Sequence, residues 1–236
     1  PNQDKSEILI DRVKEVALNA QPKLEITAYV TPKDGVELLL SEMTSVKLKP
    51  KAVENNMEAI GSCLFFNDYL PGDLYRWVID MGEEMTSVGF FFGSELLSVQ
   101  TFPLAASELL NQSAAQLKIR RWEAQQAFDS DEWSEEFEHS IKPFLEDWST
   151  QLSDKFYIVQ EQFPGAQASE ALLTGMGNRS EAFQQCLTQA TGIPFRWVDP
   201  FRRIEFNHNE MLSDERLVTG APYMSTAVGL ALRSVL

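Results

Sequence analysis

The chain has 236 residues, 44% of them apolar and 23% charged, ordinary values for a soluble globular protein whose length allows one or two domains. Its formal charge of −15 is not ordinary. Such a surface repels nucleic-acid phosphates and anionic headgroups, so neither is an expected partner, whereas a basic protein segment would suit it.

Ser6–Ala20 carries Ile8, Leu9, Val13, Val16 and Ala17 at helical spacing behind a serine cap and reads as a helix. Leu24–Val30 alternates and is rich in strand formers. Thr31, Pro32 and Asp34 mark a helix start running to about Thr44. Val46–Leu48 reads as a short extended piece, and Pro50 as the start of a helix with Val53, Met57, Ile60 and Leu64 on one face. Asn67–Asp73 is a turn-rich joint. Three strands are predicted next, at Trp77–Met81, Thr86–Phe92 and Glu95–Phe102, with links short enough for hairpins. Helices follow from Pro103, over about Arg120–Phe128, and over Glu135–Gln162, the last with Pro143 as a bend. Ala168–Thr174 is a buried-strand candidate. Asn178–Glu181 reads as a capping box for a helix to about Thr191, and Phe195–Val198 as a short strand. Phe206–Gly220 reads as loop and Pro222–Leu236 as a terminal helix. The alternation makes the chain α/β.

Chemistry-bearing residues are sparse. No run approaches the roughly 18–20 apolar residues of a bilayer span, and no leader pattern opens the chain, so no direct membrane insertion is expected. A first residue of Pro1 reads as a processed or recombinant fragment. Cys63 and Cys186 read as buried free thiols of a reducing cytosol. His139 and His208 lack partners at metal-ligand spacing and read as surface residues, and no hydrolytic triad is evident. Phe90-Phe91-Phe92 reads as core, with an exposed docking strip as the alternative. Arg202-Arg203 reads as a surface salt bridge, with an acidic peptide or phosphate grip as the alternative. The acidic run Asp129–Glu138, with Trp133 and Phe137 interleaved, reads as a capped helix start, with a receiver for a basic peptide as the alternative.

Three stretches carry a family resemblance. VIDMGEEMTSVGFFFGSELLSVQTFPL (Val78–Leu104) is an aspartate–glycine hairpin with a third strand. ALLTGMGNRSEAFQQCLTQATGIPFRWVDPF (Ala171–Phe201) is a strand, a glycine turn, a capped helix and a GIP…DPF run, and APYMSTAVGLALRSVL closes the chain. In order and spacing these resemble the later two thirds of the PilM-like proteins of type IV pilus assembly, in the actin-like ATPase superfamily, and more distantly FtsA. The resemblance implies an actin-like (ribonuclease H-like) domain at about residues 68–236, preceded by a small α/β subdomain with its return helix at about 1–67.

It also implies a cytoplasmic scaffold, peripheral to the inner membrane, in a type IV pilus or type II secretion platform. The implied partner is the cytoplasmic tail of a bitopic inner-membrane protein, facing Leu24–Leu48, with self-association into a ring as a further possibility. ATP binding is usual in the family. Asp80 matches its metal-water aspartate, Gly82 its phosphate-turn glycine, Thr86 a hydroxyl position, and Gly175 and Gly177 the turn under the adenosine.

The pattern is broken elsewhere. Met176 replaces a glycine, Glu83 and Glu84 bring carboxylates into the phosphate turn, and Ala105-Ala106 stand where the family has Gly-Gly. Glu123–Phe128 lacks the lysine of the family's ribose-and-base motif, and the family's N-terminal phosphate hairpin precedes this chain. The expectation is therefore a nucleotide site degenerate to turn-formers, with no cofactor and no metal. The alternative is an ATPase in which ATP and Mg²⁺ bind and Asp80 orients water. A sugar-kinase-like relative is disfavoured, since nothing resembles a sugar-binding carboxylate cluster.

Overall fold

The computed structural model describes residues 6–18, 21–130, 133–175, 181–205 and 221–233. Contacts divide the chain into two compact units, Pro1–Asn55 and Asn56–Leu236, a division that falls ahead of the joint at Asn67–Asp73.

The first unit contains two antiparallel strands, β1 (Ser6–Leu18) and β2 (Gln21–Pro32), and one helix, α1 (Lys33–Ser45). The helix expected at Ser6–Ala20 is thus a strand. Its register sets Ile8 opposite Val30, Ile10 opposite Ala28 and Val13 opposite Ile26, with a bulge between Ile10 and Arg12. The bulge shifts the two-residue alternation by one position, so the apolar run takes on a spacing that resembles a helical period. Helix α1 begins one residue after Pro32, without a side-chain cap. Val46–Leu48 is not extended but closes the helix: Leu48 N–H donates to Met43 O at 2.9 Å, and Lys47 takes the left-handed conformation.

The second unit opens with α2 (Asn56–Phe66), six residues later than the start expected at Pro50. The buried face begins only at Met57, and Val53 is exposed, so burial does not support an earlier turn. Then come β3 (Tyr75–Met81), β4 (Thr86–Phe92), β5 (Glu95–Phe102), α3 (Ala106–Leu117), α4 (Arg121–Phe128) and α5 (Glu135–Gln162). After these stand β6 (Ala168–Thr174), α6 (Glu181–Thr191), β7 (Phe195–Trp197) and, past a 3-10 turn at Ala221–Met224, α7 (Ser225–Leu232). Helix α5 runs through Pro143 without a break.

The sheet order is β5-β4-β3-β6-β7: an antiparallel meander, β3 to β5, joined through β3 to the parallel pair β6 and β7. Strand alternation divides the core between the two faces. Trp77, Ile79 and Met81 of β3, with Ala171 and Leu173 of β6, pack against the α3–α6 side, where Phe144, Trp148 and Leu152 of α5 are buried. Val78 and Leu172 face the other way, onto Met57, Ile60 and Leu64 of α2. Phe90 belongs to the first cluster and Phe91 to the second, so two of the three consecutive phenylalanines are core and Phe92 lies at the rim. Helix α7 lies so close on α2 that a Cβ at Gly229 would stand 1.7 Å from Ala59 O.

Candidate functional site

Because β3 and β6 are parallel neighbours, their carboxyl ends lie side by side, with Asp80 in register with Thr174. The following residue, Gly175, crosses directly over the end of β3. Its φ is +98°, and a Cβ there would meet Met81 O at 2.4 Å and Asp80 Oδ1 at 2.7 Å. Only glycine tolerates both demands. The carboxyl ends of an α/β sheet are where such folds place ligands, so this crossing is the candidate site.

The fold brings Asp80 and Gly175 together. Gly177, with Met176 and the capping residues Asn178–Ser180, lies outside the described residues. Gly82 closes the β3–β4 turn, its N–H donating to Met85 O at 3.0 Å. Thr86 turns into the core instead of toward the crossing: its hydroxyl donates to Leu104 O at 2.6 Å and accepts from Trp148 Nε1 at 3.1 Å. The carbonyls of Gly82 and Glu83 accept from the first amides of α3, Ala106 N and Ser107 N, at 3.1 and 2.9 Å. Glu83 is ion-paired with Arg121, whereas Glu84 is exposed. Glu123 caps its own helix, binding both the backbone N–H and the guanidinium of Arg120.

Two residues that the sequence did not single out complete the site. Asn56, the first residue of α2, donates from Nδ2 to Asp80 Oδ2 at 2.8 Å and accepts from Thr226 Oγ1 at 2.6 Å. A second link joins the hydroxyls of Thr174 and Ser225 at 2.6 Å. The ends of β3 and β6 are thereby tied to the starts of α2 and α7. The only signal in the sequence was polar residues at helix starts, which capping explains equally well. Burial raises the Asp80 carboxyl above its ordinary range, and the Asn56 hydrogen bond opposes this.

Among the described residues no group of three or more His, Cys, Asp or Glu could hold a metal ion. Cys63 is buried, and desolvation pushes its thiol up to about 12. Cys186 is half-buried, His139 is exposed, and His208 lies outside the described residues. Of the pair read as a surface salt bridge, Arg203 binds Asp68 at 3.1 Å, whereas Arg202 donates to Asn67 O at 3.4 Å and lies over the Tyr69 ring. No described helix is long and apolar enough to cross a membrane.

This sheet order, with helices on both faces and an acid turn and a glycine turn meeting at the carboxyl ends of β3 and β6, defines an actin-like α/β protein. Solved structures with this fold include the ethanolamine utilization protein EutJ from Carboxydothermus hydrogenoformans (14% identity, TM-score 0.58, 82% of this chain and 59% of that one). Another is MreB5 of Spiroplasma citri bound to ADP (9% identity, TM-score 0.59, 87% and 66%). The chain belongs to the family of the type IV pilus assembly protein PilM, whose model matches residues 6–235. It is similar in structure to the PilM-PilN type IV pilus biogenesis complex, with 19% identity and a TM-score of 0.77 over 97% of this chain and 67% of that one. No curated protein sequence matches. This chain thus spans about two thirds or less of the solved chains it resembles.

Proposed function

We propose that this chain is a coupling scaffold of a type IV pilus assembly platform. In this reading it sits at the cytoplasmic side of the inner membrane, holds the tail of a bitopic partner of the PilN kind, and has a nucleotide turn that does not take ATP. The family and the likeness to the PilM-PilN complex support the pilus role and the class of partner. One observation carries the scaffold reading: among the described residues, the polar groups named at the crossing are already bonded within the fold. Asp80 is held by Asn56, the Gly82 amide by Met85 and the leading amides of α3 by the turn itself, while the Thr86 hydroxyl is turned away into the core. A phosphate arriving there would have to displace these bonds, and each buried group left unpaired costs about 1–3 kcal/mol. Where nucleotide does bind, Mg²⁺ would supply charge neutralisation at the phosphates, and Asp80 is the residue to hold its water.

The test is a calorimetric titration of the partner's cytoplasmic tail peptide into the full-length protein, with and without Mg·ATP, preceded by Mg·ATP alone. The expected outcome is tail binding of equal affinity in both conditions and no heat from ATP. Saturable ATP binding that Asp80→Ala abolishes, with tail affinity changing on nucleotide addition, would replace the scaffold with a nucleotide-gated switch. Loss of tail binding in both conditions would remove the partner assignment.

A further inference from the structure

Away from the turn crossing, a groove of about 560 Å³ runs between α5 and α6. Small side chains line it: Ser149 on α5, with Cys186 and Ala190 on α6. Its floor is Ile141 and Leu145, both turned toward the core at 1% and 9% exposure. Its end wall is Trp133, whose indole N–H donates to Phe128 O at 3.1 Å and whose ring lies 5.5 Å from that of Phe137. A wall fixed in this way makes the groove preformed, which lowers the ordering cost of an occupant.

The rim has a sign. Glu135, Glu138 and Glu146 line it against a single ammonium, Lys142, which stands 4.0 Å from Glu146. Among the described residues Glu135 and Glu138 form no ion pair. The acids of the first turn suit the helix dipole, but Glu146 lies well beyond that turn, where the dipole does not call for one. Pro143 lacks an N–H, so the His139 carbonyl on the same rim has no amide four residues ahead to bond. Three carboxylates against one ammonium favour a donor-bearing cation with an apolar side. Lining residues run along α5 from Glu135 to Ser149, about 21 Å of helix at 1.5 Å per residue, the length of roughly four turns of a partner helix.

We propose that the α5–α6 groove is a docking site for a basic amphipathic helix of a protein partner, with apolar anchors on Leu145 and Ala190 and cations on Glu135, Glu138 and Glu146. This is a second interface, independent of the nucleotide turn and of the tail-binding reading. The chain's charge of −15 draws cationic segments to the whole surface, and the groove is where apolar contact makes the attraction selective.

The probe is a fluorescein-labelled peptide of Leu and Lys with leucines at i, i+3, i+4 and i+7, set against the same composition scrambled to remove the helical period. Anisotropy on the full chain is expected to show binding at least about tenfold tighter for the amphipathic peptide. Glu138→Lys and Ala190→Trp, the second filling the groove, are each expected to weaken it by about tenfold or more while leaving the thermal melt unchanged. On the unaltered chain the bound peptide should slow alkylation of Cys186 by N-ethylmaleimide, a readout that does not depend on how any variant folds. Equal binding of the scrambled peptide, full affinity in Ala190→Trp, or unprotected Cys186 at saturating peptide would each overturn the proposal.

Discussion

Burial at the end of β3 raises the Asp80 carboxyl, while the amide donated by Asn56 pulls it part of the way back. The sign of the consequence follows from linkage. A folded-state pKa above the ordinary 3.8 means that folding favours the protonated acid. That contribution is complete below 3.8 and is lost as pH rises through the raised value, so at neutral pH the ionised carboxylate weakens the fold. Asp80→Asn keeps the shape and an acceptor for Asn56 without the charge. It is expected to melt at a higher temperature than the parent near neutral pH, with the gain vanishing as pH falls below the ordinary aspartate range. A loss of stability at neutral pH, in melts across that range, would mean that the charge itself is stabilised at the crossing. Asp80 and Gly175 were legible in the sequence because a strand ending in Asp-x-Gly and a strand ending in glycine are local patterns. Asn56 and Thr226 were not, since their pairing is created only when α2 and α7 meet.

Pairs of elements carry the next prediction. A Cβ at Gly229 would stand 1.7 Å from Ala59 O, a backbone atom inside α2 that no rotamer change can move. Gly229→Ala therefore has to separate the two helices and is expected to cost about 1–3 kcal/mol or more, read as a shift in a urea titration midpoint. An unchanged midpoint would show that the helices do not approach this closely. The meander, β6 and the long α5 were readable because each carries an uninterrupted apolar pattern: consecutive buried residues at Trp77–Ile79 and Ala171–Leu173, and helical spacing from Phe137 to Val159. Strand β1 was misread for the opposite reason. Its bulge breaks the alternation, and Leu9, Val13, Val16 and Ala17 meanwhile stand at helical spacing. The late start of α2 escaped notice because Pro50 is a good opening residue, while the deciding fact, where burial begins, is tertiary.

At the level of the whole molecule, stability concentrates where pairing and burial coincide. Strands β3 and β6 are paired on both sides, and Val78, Ile79, Leu172 and Leu173 are fully buried. Strands β5 and β7 stand at the sheet edges. Hydrogen exchange is expected to be slowest in β3 and β6, faster in the edge strands and fastest in α1, which buries no residue. Protection in β7 equal to that in β6 would contradict this order. The fold class was legible from the alternation of elements, but the order β5-β4-β3-β6-β7 was not, because nothing local says which earlier strand β6 will join.

The contact between α2 and α7 has a consequence for synthesis. Asn56 and Thr226 are 170 positions apart, yet the side of α2 that carries Ala59 is covered by the last helix described. As the chain leaves the ribosome, the meander can pair from neighbouring segments and offer Val78 and Phe91 to Met57, Ile60 and Leu64, whereas the Ala59 side of α2 must wait for residues translated much later. At about 5–20 residues per second that interval lasts on the order of ten seconds or more. For its duration that side of α2 stays uncovered, and a chaperone that shields such surfaces would find its natural substrate there.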